Sequence, residues 1–213
     1  MILIENLKSD LSLDDLLNNL HHRLRNFFII DESESELIKS VHIPVLNRVR
    51  TCFSGVDNKY FNSDGIAYFS YTHSGQYLAY LYFFSLEFSL MNHPLKDKFY
   101  YLNKIMHGVD IYSEVRLPEV FFFEHPIGLI LGRATYGNNF FAMQGCTVGG
   151  NKGHYPTIGN NVKMYSDSKI LGNSNIGDNV LLSANTYIKD TNIPSNSIVF
   201  GQSPNLIIKD IKK

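Results

Sequence analysis

His125, in the run Glu124-His125-Pro126-Ile127-Gly128, is the candidate general base of this chain. A near-neutral imidazole can take a proton from a hydroxyl and hand it on at ordinary pH, a service typically worth about 10²–10⁴ in rate. The plain alternative is a solvated histidine at a chain corner. The sequence has eight histidines. Of these, His21, His22, His42 and His73 lie in helical or loop context and read as solvated or structural, and His93 and His107 flank the last helix. A zinc site of His107, His125 and His154 has the usual ligand type, yet nothing in the spacing demands it, and no metal is expected. There is no Ser-His-Asp set, and Gly149-Gly150-Asn151-Lys152-Gly153 lacks the ending and the following helix of a phosphate-binding loop.

The element that must position His125 is announced by a period of six. Ile158, Met164, Ile170, Ile176, Leu182 and Ile188 each open a hexad, and Val162, Ser168, Ser174, Val180 and Thr186 follow four residues later. Neither a helix nor an alternating strand has that period, whereas a coiled solenoid turns a corner at such intervals. Read backwards, weaker hexads open at Ile111, Leu117, Phe123 and Leu129, then after a one-residue reset at Ala134, Phe140 and Cys146. Gly149 to Thr157 reads as a loop thrown out from a coil. Cys146, at one of these openers, reads as inward packing rather than as a nucleophile.

Residues 1–107 read as a helical domain, 108–203 as the solenoid and 204–213 as a tail, either a short strand or a loose end. Ser12 caps a helix with Asp14 and Asp15 in its first turn and Leu16, Leu17, Leu20 and Leu24 on one face. A second helix is interrupted or restarts near Pro44, and 54–65 is loop-like. The apolar run Gly75 to Met91 contains Glu87 and falls short of a membrane span, so a core or subunit-contact helix is expected. The hydrophobic fraction of 44% and net charge of −1 suit an ordinary globular protein with no basic footprint for nucleic acid. Two cysteines and a start without signal-peptide features suit the cytoplasm.

Residues 108–204 resemble the hexapeptide-repeat acyltransferases, most closely the serine acetyltransferase branch. The resemblance is carried by GVDI (108–111), EHPIGLILG (124–132), MQGCTVGG (143–150), PTIGNNV (156–162), KILGNSNIGDN (169–179) and SIVFGQSP (197–204). It implies an α+β chain whose helical N-terminal domain is followed by a left-handed parallel β-helix. It further implies a homotrimer or hexamer, and acetyl-CoA as co-substrate. In the family an aspartate fifteen residues ahead of the catalytic histidine orients it, and Asp110 and His125 have that spacing. Matching cofactor positions are Gly150, Ser166 and Ala184; Lys189 and Lys209 are within the set that would meet nucleotide phosphates.

Three departures bear on the acceptor. Glu124 replaces the family's aspartate before the histidine. His154 and Tyr155 stand where Arg-His precedes the loop proline, which removes a bidentate carboxylate partner. The chain ends Ile211-Lys212-Lys213 rather than on isoleucine. The expectation is therefore O-acetyl transfer to a sugar hydroxyl, as in capsule or lipopolysaccharide modification, with Glu124, His154 and Tyr155 contacting the acceptor. L-Serine, as in cysteine biosynthesis, is the runner-up, and a silent solenoid scaffold or a zinc hydratase are readings of other classes.

Overall fold

The computed structural model describes residues 2–4, 6–63 and 65–211, so Lys212 and Lys213 lie outside the described residues. The chain divides into two compact units, Met1–His107 and Gly108–Lys213.

The first unit contains β1 (Ile2–Ile4), β2 (Leu7–Ser9), α1 (Leu13–Arg25), α2 (Glu32–Ser54), β3 (Asn62–Ser63), β4 (Ile66–Phe69), α3 (Ser74–Leu90) and α4 (Leu95–His107). At the start of α1 the Ser12 hydroxyl oxygen accepts from the Asp15 amide, and Leu16, Leu17, Leu20 and Leu24 are buried. α2 begins with a capping box between Asp31 and Glu34 and runs unbroken through Pro44, so the expected interruption is corrected. A proline inside a helix costs about 3 kcal/mol. Here Val41, Val45, Leu46 and Val49 are all buried around it, and burial of such side chains stabilises by roughly 1.5–3 kcal/mol apiece.

A four-stranded sheet, in the order β1-β2-β4-β3, accompanies the helices. The first unit is helical as expected and carries this small sheet in addition; strands of two to four residues are too short for a period of two to register. α3 is buried on every side from Gln76 to Leu86, which explains its uniform apolarity. Among the described residues no helix is long and apolar enough to cross a membrane. Inside this core the Tyr80 hydroxyl and His42 Nε2 are hydrogen-bonded at 2.8 Å, and His107 Nδ1 lies 2.7 Å from Asn103 Oδ1. Burial pushes both imidazoles down to a pKa of about 4.

The second unit is a parallel solenoid of five coils. The first has β5 (Asp110–Ile111) and β6 (Phe121–Glu124). The second has β7 (Ile130–Leu131), β8 (Thr135–Tyr136) and β9 (Phe140–Met143), and the third β10 (Thr147–Gly149), β11 (Thr157–Ile158) and β12 (Lys163–Met164). β13 (Lys169–Leu171), β14 (Asn175–Ile176) and β15 (Leu181–Leu182) form the fourth, and β16 (Tyr187–Lys189) and β17 (Ser197–Gln202) the fifth. The faces are β5-β7-β10-β13-β16, β8-β11-β14 and β6-β9-β12-β15-β17. β18 (Asn205–Asp210) returns antiparallel along β17, so the segment taken as a tail is a strand from 205 to 210.

All six hexad openers from Ile158 to Ile188 are at most 1% exposed, and their partners four residues later at most 2%. Upstream the expected register is corrected. Leu131 pairs with Val148, Val148 with Ile170, Tyr136 with Ile158, and Ala142 with Met164, so these are the openers rather than Leu129, Ala134, Phe140 and Cys146. Phe140 and Cys146 still point inward, but Cys146 stacks on Ser168, its Sγ 3.5 Å from Ser168 Oγ. Leu117 opens no strand and lies in an irregular stretch.

Corners repeat as faithfully as faces. Asn139, Asn161, Asn179 and Asn196 all adopt left-handed backbone, with φ between 56° and 60°. Each side-chain amide of the first three donates to the next asparagine's Oδ1 at 2.9 Å. Asparagine tolerates this conformation better than other residues bearing a side chain.

Replacing Asn161 by Ala removes two rungs of this ladder and strains the corner, so a loss of about 1–3 kcal/mol in chemical denaturation is expected. Asn161→Gly should recover part of it by relieving the strain. For the helical unit, His42 and His107 remain neutral in the fold until pH nears 4 but protonate in the unfolded chain near 6.5. Stability is then fully present above pH 6.5 and declines as pH falls toward 4, by up to about 3 kcal/mol per histidine. Denaturation midpoints measured from pH 7.5 to 4.5 should fall accordingly, and His42→Gln should flatten the slope.

Candidate active site

His125 owes its position to an insertion. Glu124 pairs with Met143 on the next coil, and the Gly145 amide donates to Ile127 O where the Asp167 amide donates to Gln144 O one coil further on. Ile127 therefore stacks on Gln144, three residues after Glu124, while Gln144 follows Met143 by one. The two surplus residues are His125 and Pro126. The Ile127 amide closes a tight turn by donating to His125 O at 2.8 Å, and His125 itself has φ of 50°. A histidine in left-handed backbone is uncommon, and such conformations persist where surrounding structure enforces them. The result is an exposed imidazole on a corner whose base is rigid.

Asp110 lies on the neighbouring coil at this same corner. Its amide donates to Leu129 O at 2.8 Å, and the Gly128 amide donates to Gly108 O at 2.9 Å, so the histidine corner is seated on the strand that bears Asp110. Glu124 ends β6, half-buried, and alternates with the buried Phe121 and Phe123, which places it on the outer surface beside the corner. Sequence spacing and coil stacking thus bring Asp110, Glu124 and His125 to one place.

Beneath Ile127, two residues after His125, the corner column continues through Gln144, Ser166 and Ala184, each stacked on the last through a backbone hydrogen bond. Ser166 and Ala184 carry small side chains at this corner. Gln144 was not singled out from the sequence. Its Oε1 is closed off from solvent and finds no hydrogen-bond partner among the described residues.

Gly150, His154, Tyr155 and Lys189 lie elsewhere, at the corner that follows β10, β13 and β16. Asn151 and His154 exchange backbone hydrogen bonds of 2.9 and 3.0 Å, closing the protruding loop. Tyr155 lies against Gly150, where a Cβ would come within 2.7 Å of its Cε1. Lys189 is half-buried beside this loop, its amide donating to Ser203 Oγ, and the next residue, Asp190, accepts from Asn151 Nδ2. Lys209 is placed by β18, with its Nζ 5.8 Å from the centroid of the Phe200 ring. Of the expected cofactor positions, Ser166 and Ala184 therefore fall on the corner that carries Ile127, Gly150 and Lys189 at the loop, and Lys209 on β18.

A further residue joins the loop. The Arg133 guanidinium lies over the Tyr155 ring, 4.9 Å from its centroid, and Nη1 donates to the Tyr155 hydroxyl at 3.3 Å. Arg133 is the only arginine after Arg116. That scarcity was the available signal, but its approach to Tyr155, twenty-two residues away, depends on coil stacking. β7 separates Arg133 from His125: the four residue steps from Leu129 to Arg133 span roughly 13 Å of extended chain. A small acceptor cannot touch both on one chain.

The remaining histidines stay outside this geometry. His42 and His107 are engaged by Tyr80 and Asn103, and His73 Nδ1 accepts from the Gln76 amide at the start of α3. His93 Nδ1 accepts from the Leu95 amide. Among the described residues no three His, Cys, Asp or Glu side chains cluster as metal ligands.

No protein-family model matches the chain. Serine acetyltransferase of Staphylococcus epidermidis is 35% identical over 113 residues, covering 51% of this chain and 52% of that protein. The chain spans about half the length of the curated relatives it matches. Among solved structures, serine acetyltransferase of Neisseria gonorrhoeae aligns with a TM-score of 0.70 at 18% identity, covering 95% of this chain and 82% of that one. A serine acetyltransferase in complex with CoA aligns with a TM-score of 0.69 at 18% identity, over 92% and 83% of the two chains. The chain has serine acetyltransferase homologues, and it shares the fold of those structures, a helical N-terminal region followed by a hexapeptide-repeat left-handed β-helix.

Proposed function

We propose that the protein is an acetyl-CoA-dependent O-acetyltransferase whose acceptor is L-serine. The observation that carries the reading is the two-residue insertion that mounts His125 on a rigid corner directly over the strand bearing Asp110. His125 accepts the proton of the acceptor hydroxyl as that oxygen becomes the nucleophile, then delivers it to the departing thiolate. Asp110 serves as the positioning residue that holds the ring orientation and offsets the charge of the imidazolium. Acetyl-CoA supplies the activated acetyl group as co-substrate. Ser166 and Ala184 would flank its pantetheine arm, and Gly150 and Lys189 would meet it from the loop corner. Because that corner stands across a full face from His125, we assign the working unit to a homotrimer or hexamer in which neighbouring copies complete each site. A cytoplasmic location accompanies this reading.

L-Serine is preferred to a sugar for two reasons. The relatives are serine acetyltransferases. The sugar reading rests on a missing arginine at the loop, yet the Tyr155 ring is overlaid by Arg133, which returns a guanidinium there.

Thiol release from acetyl-CoA with L-serine, nucleotide sugars and oligosaccharides as acceptors tests the assignment. L-Serine should be turned over, and His125→Ala should lower kcat by about 10²–10⁴. Asp110→Asn should lower kcat with little effect on the KM for acetyl-CoA. Turnover of a sugar without turnover of L-serine would sink the choice of acceptor, and full activity in His125→Ala would remove the proposed base.

A further inference from the structure

Arg133 is exposed, and among the described residues no carboxylate pairs with it. It is not loose, however. Its guanidinium is laid on the Tyr155 ring and tied to the phenol oxygen. The ring in turn lies on Gly150, where any side chain would collide with it, and the loop behind it is closed by the Asn151–His154 hydrogen bonds. Only one of the five guanidinium N–H donors is spent on Tyr155. What remains is a planar cation with free, preoriented donors, the arrangement that recognises a carboxylate or a phosphate through paired hydrogen bonds. Asp190, the carboxylate that bonds the loop's Asn151, accepts from Asn151 Nδ2 at 3.2 Å and from the Asn173 amide at 2.8 Å.

We propose that Arg133, held on Tyr155, is the specificity-determining residue of the acceptor subsite and takes the carboxylate of an acceptor whose hydroxyl faces His125 of a neighbouring copy. This rests on the function proposed above and locates charge selection at a residue outside the loop itself. The same chemistry would also suit a phosphate of acetyl-CoA, so the test separates the two sources.

The experiment measures kcat/KM for L-serine and for its uncharged analogue serinamide, together with the KM for acetyl-CoA, in wild type, Arg133→Met, Arg133→Lys and Tyr155→Leu. The ratio of L-serine to serinamide efficiency should fall about ten- to a hundredfold in Arg133→Met. It should fall less in Arg133→Lys, which keeps the charge without the fork, and to an intermediate degree in Tyr155→Leu, which removes the platform. An unchanged ratio overturns the proposal while leaving L-serine acetylation standing. A rise in the KM for acetyl-CoA with an unchanged ratio assigns Arg133 to the cofactor's phosphate and overturns the acceptor role. Calorimetric titration of the full chain with L-serine separates the two failures. Arginine-dependent binding of L-serine without its acetylation would sink the proposed function and keep this inference, whereas absence of both binding and turnover sinks both.

Discussion

Everything in the solenoid depends on one constraint: each coil must lie in register on the next. The strands are only two to six residues long, so a coil cannot satisfy its backbone polar groups by itself, and their partners come from the coils above and below. A residue too many within a face would turn inward side chains outward and leave buried amides unpaired. Surplus residues can be discharged only at corners. The chain has two such places of interest, the His125-Pro126 insertion and the Gly150–Pro156 loop. Both are where chemistry-bearing side chains stand clear of the wall.

The corners also carry their own stabilising chemistry. Left-handed backbone recurs at stacked positions and is filled by asparagine, aspartate or glycine, and the asparagine amides bond to one another from coil to coil. His125 takes a similar backbone conformation outside the regular stack, with a proline-centred turn in place of a ladder. A rigid corner of this kind fixes the imidazole's origin without burying the ring. The same stacking sets the column of Gln144, Ser166 and Ala184 beneath Ile127, and it brings Arg133 to Tyr155 at a different corner. One repeat therefore generates two separate clusters, one of a histidine with carboxylates and one cationic and aromatic, with a strand face between them.

The helical unit obeys a different balance. Pro44 and the evenly apolar α3 both look unfavourable locally, one for hydrogen bonding and the other for amphipathicity. Both are accommodated: surrounding side chains bury α3 on every side, and the exposed Pro44 is offset by the burial of Val41, Val45, Leu46 and Val49 on the inner face of the same helix. Buried imidazoles at His42 and His107 are held by a phenol and a carboxamide rather than by carboxylates, which is why burial keeps them neutral.

The sequence by itself determined the solenoid, because a period of six encodes which residues point inward, and that pattern needs no distant information. It also determined the capped start of α1 and, through motif resemblance, pointed to Asp110 and His125 as the residues to look for. It misplaced the upstream openers by two residues because an insertion at one corner and a loop at another shift the count without leaving a hydrophobic trace. The small sheet of the first unit was invisible for a similar reason, its strands being shorter than any period they could display. Only the tertiary structure decided that His125 and Pro126 are the surplus pair, that Ser166 and Ala184 stand at a different corner from Gly150 and Lys189, and that Arg133 meets Tyr155. Those facts depend on which residues stack across coils some twenty positions apart. Coil lengths, not local composition, set that register.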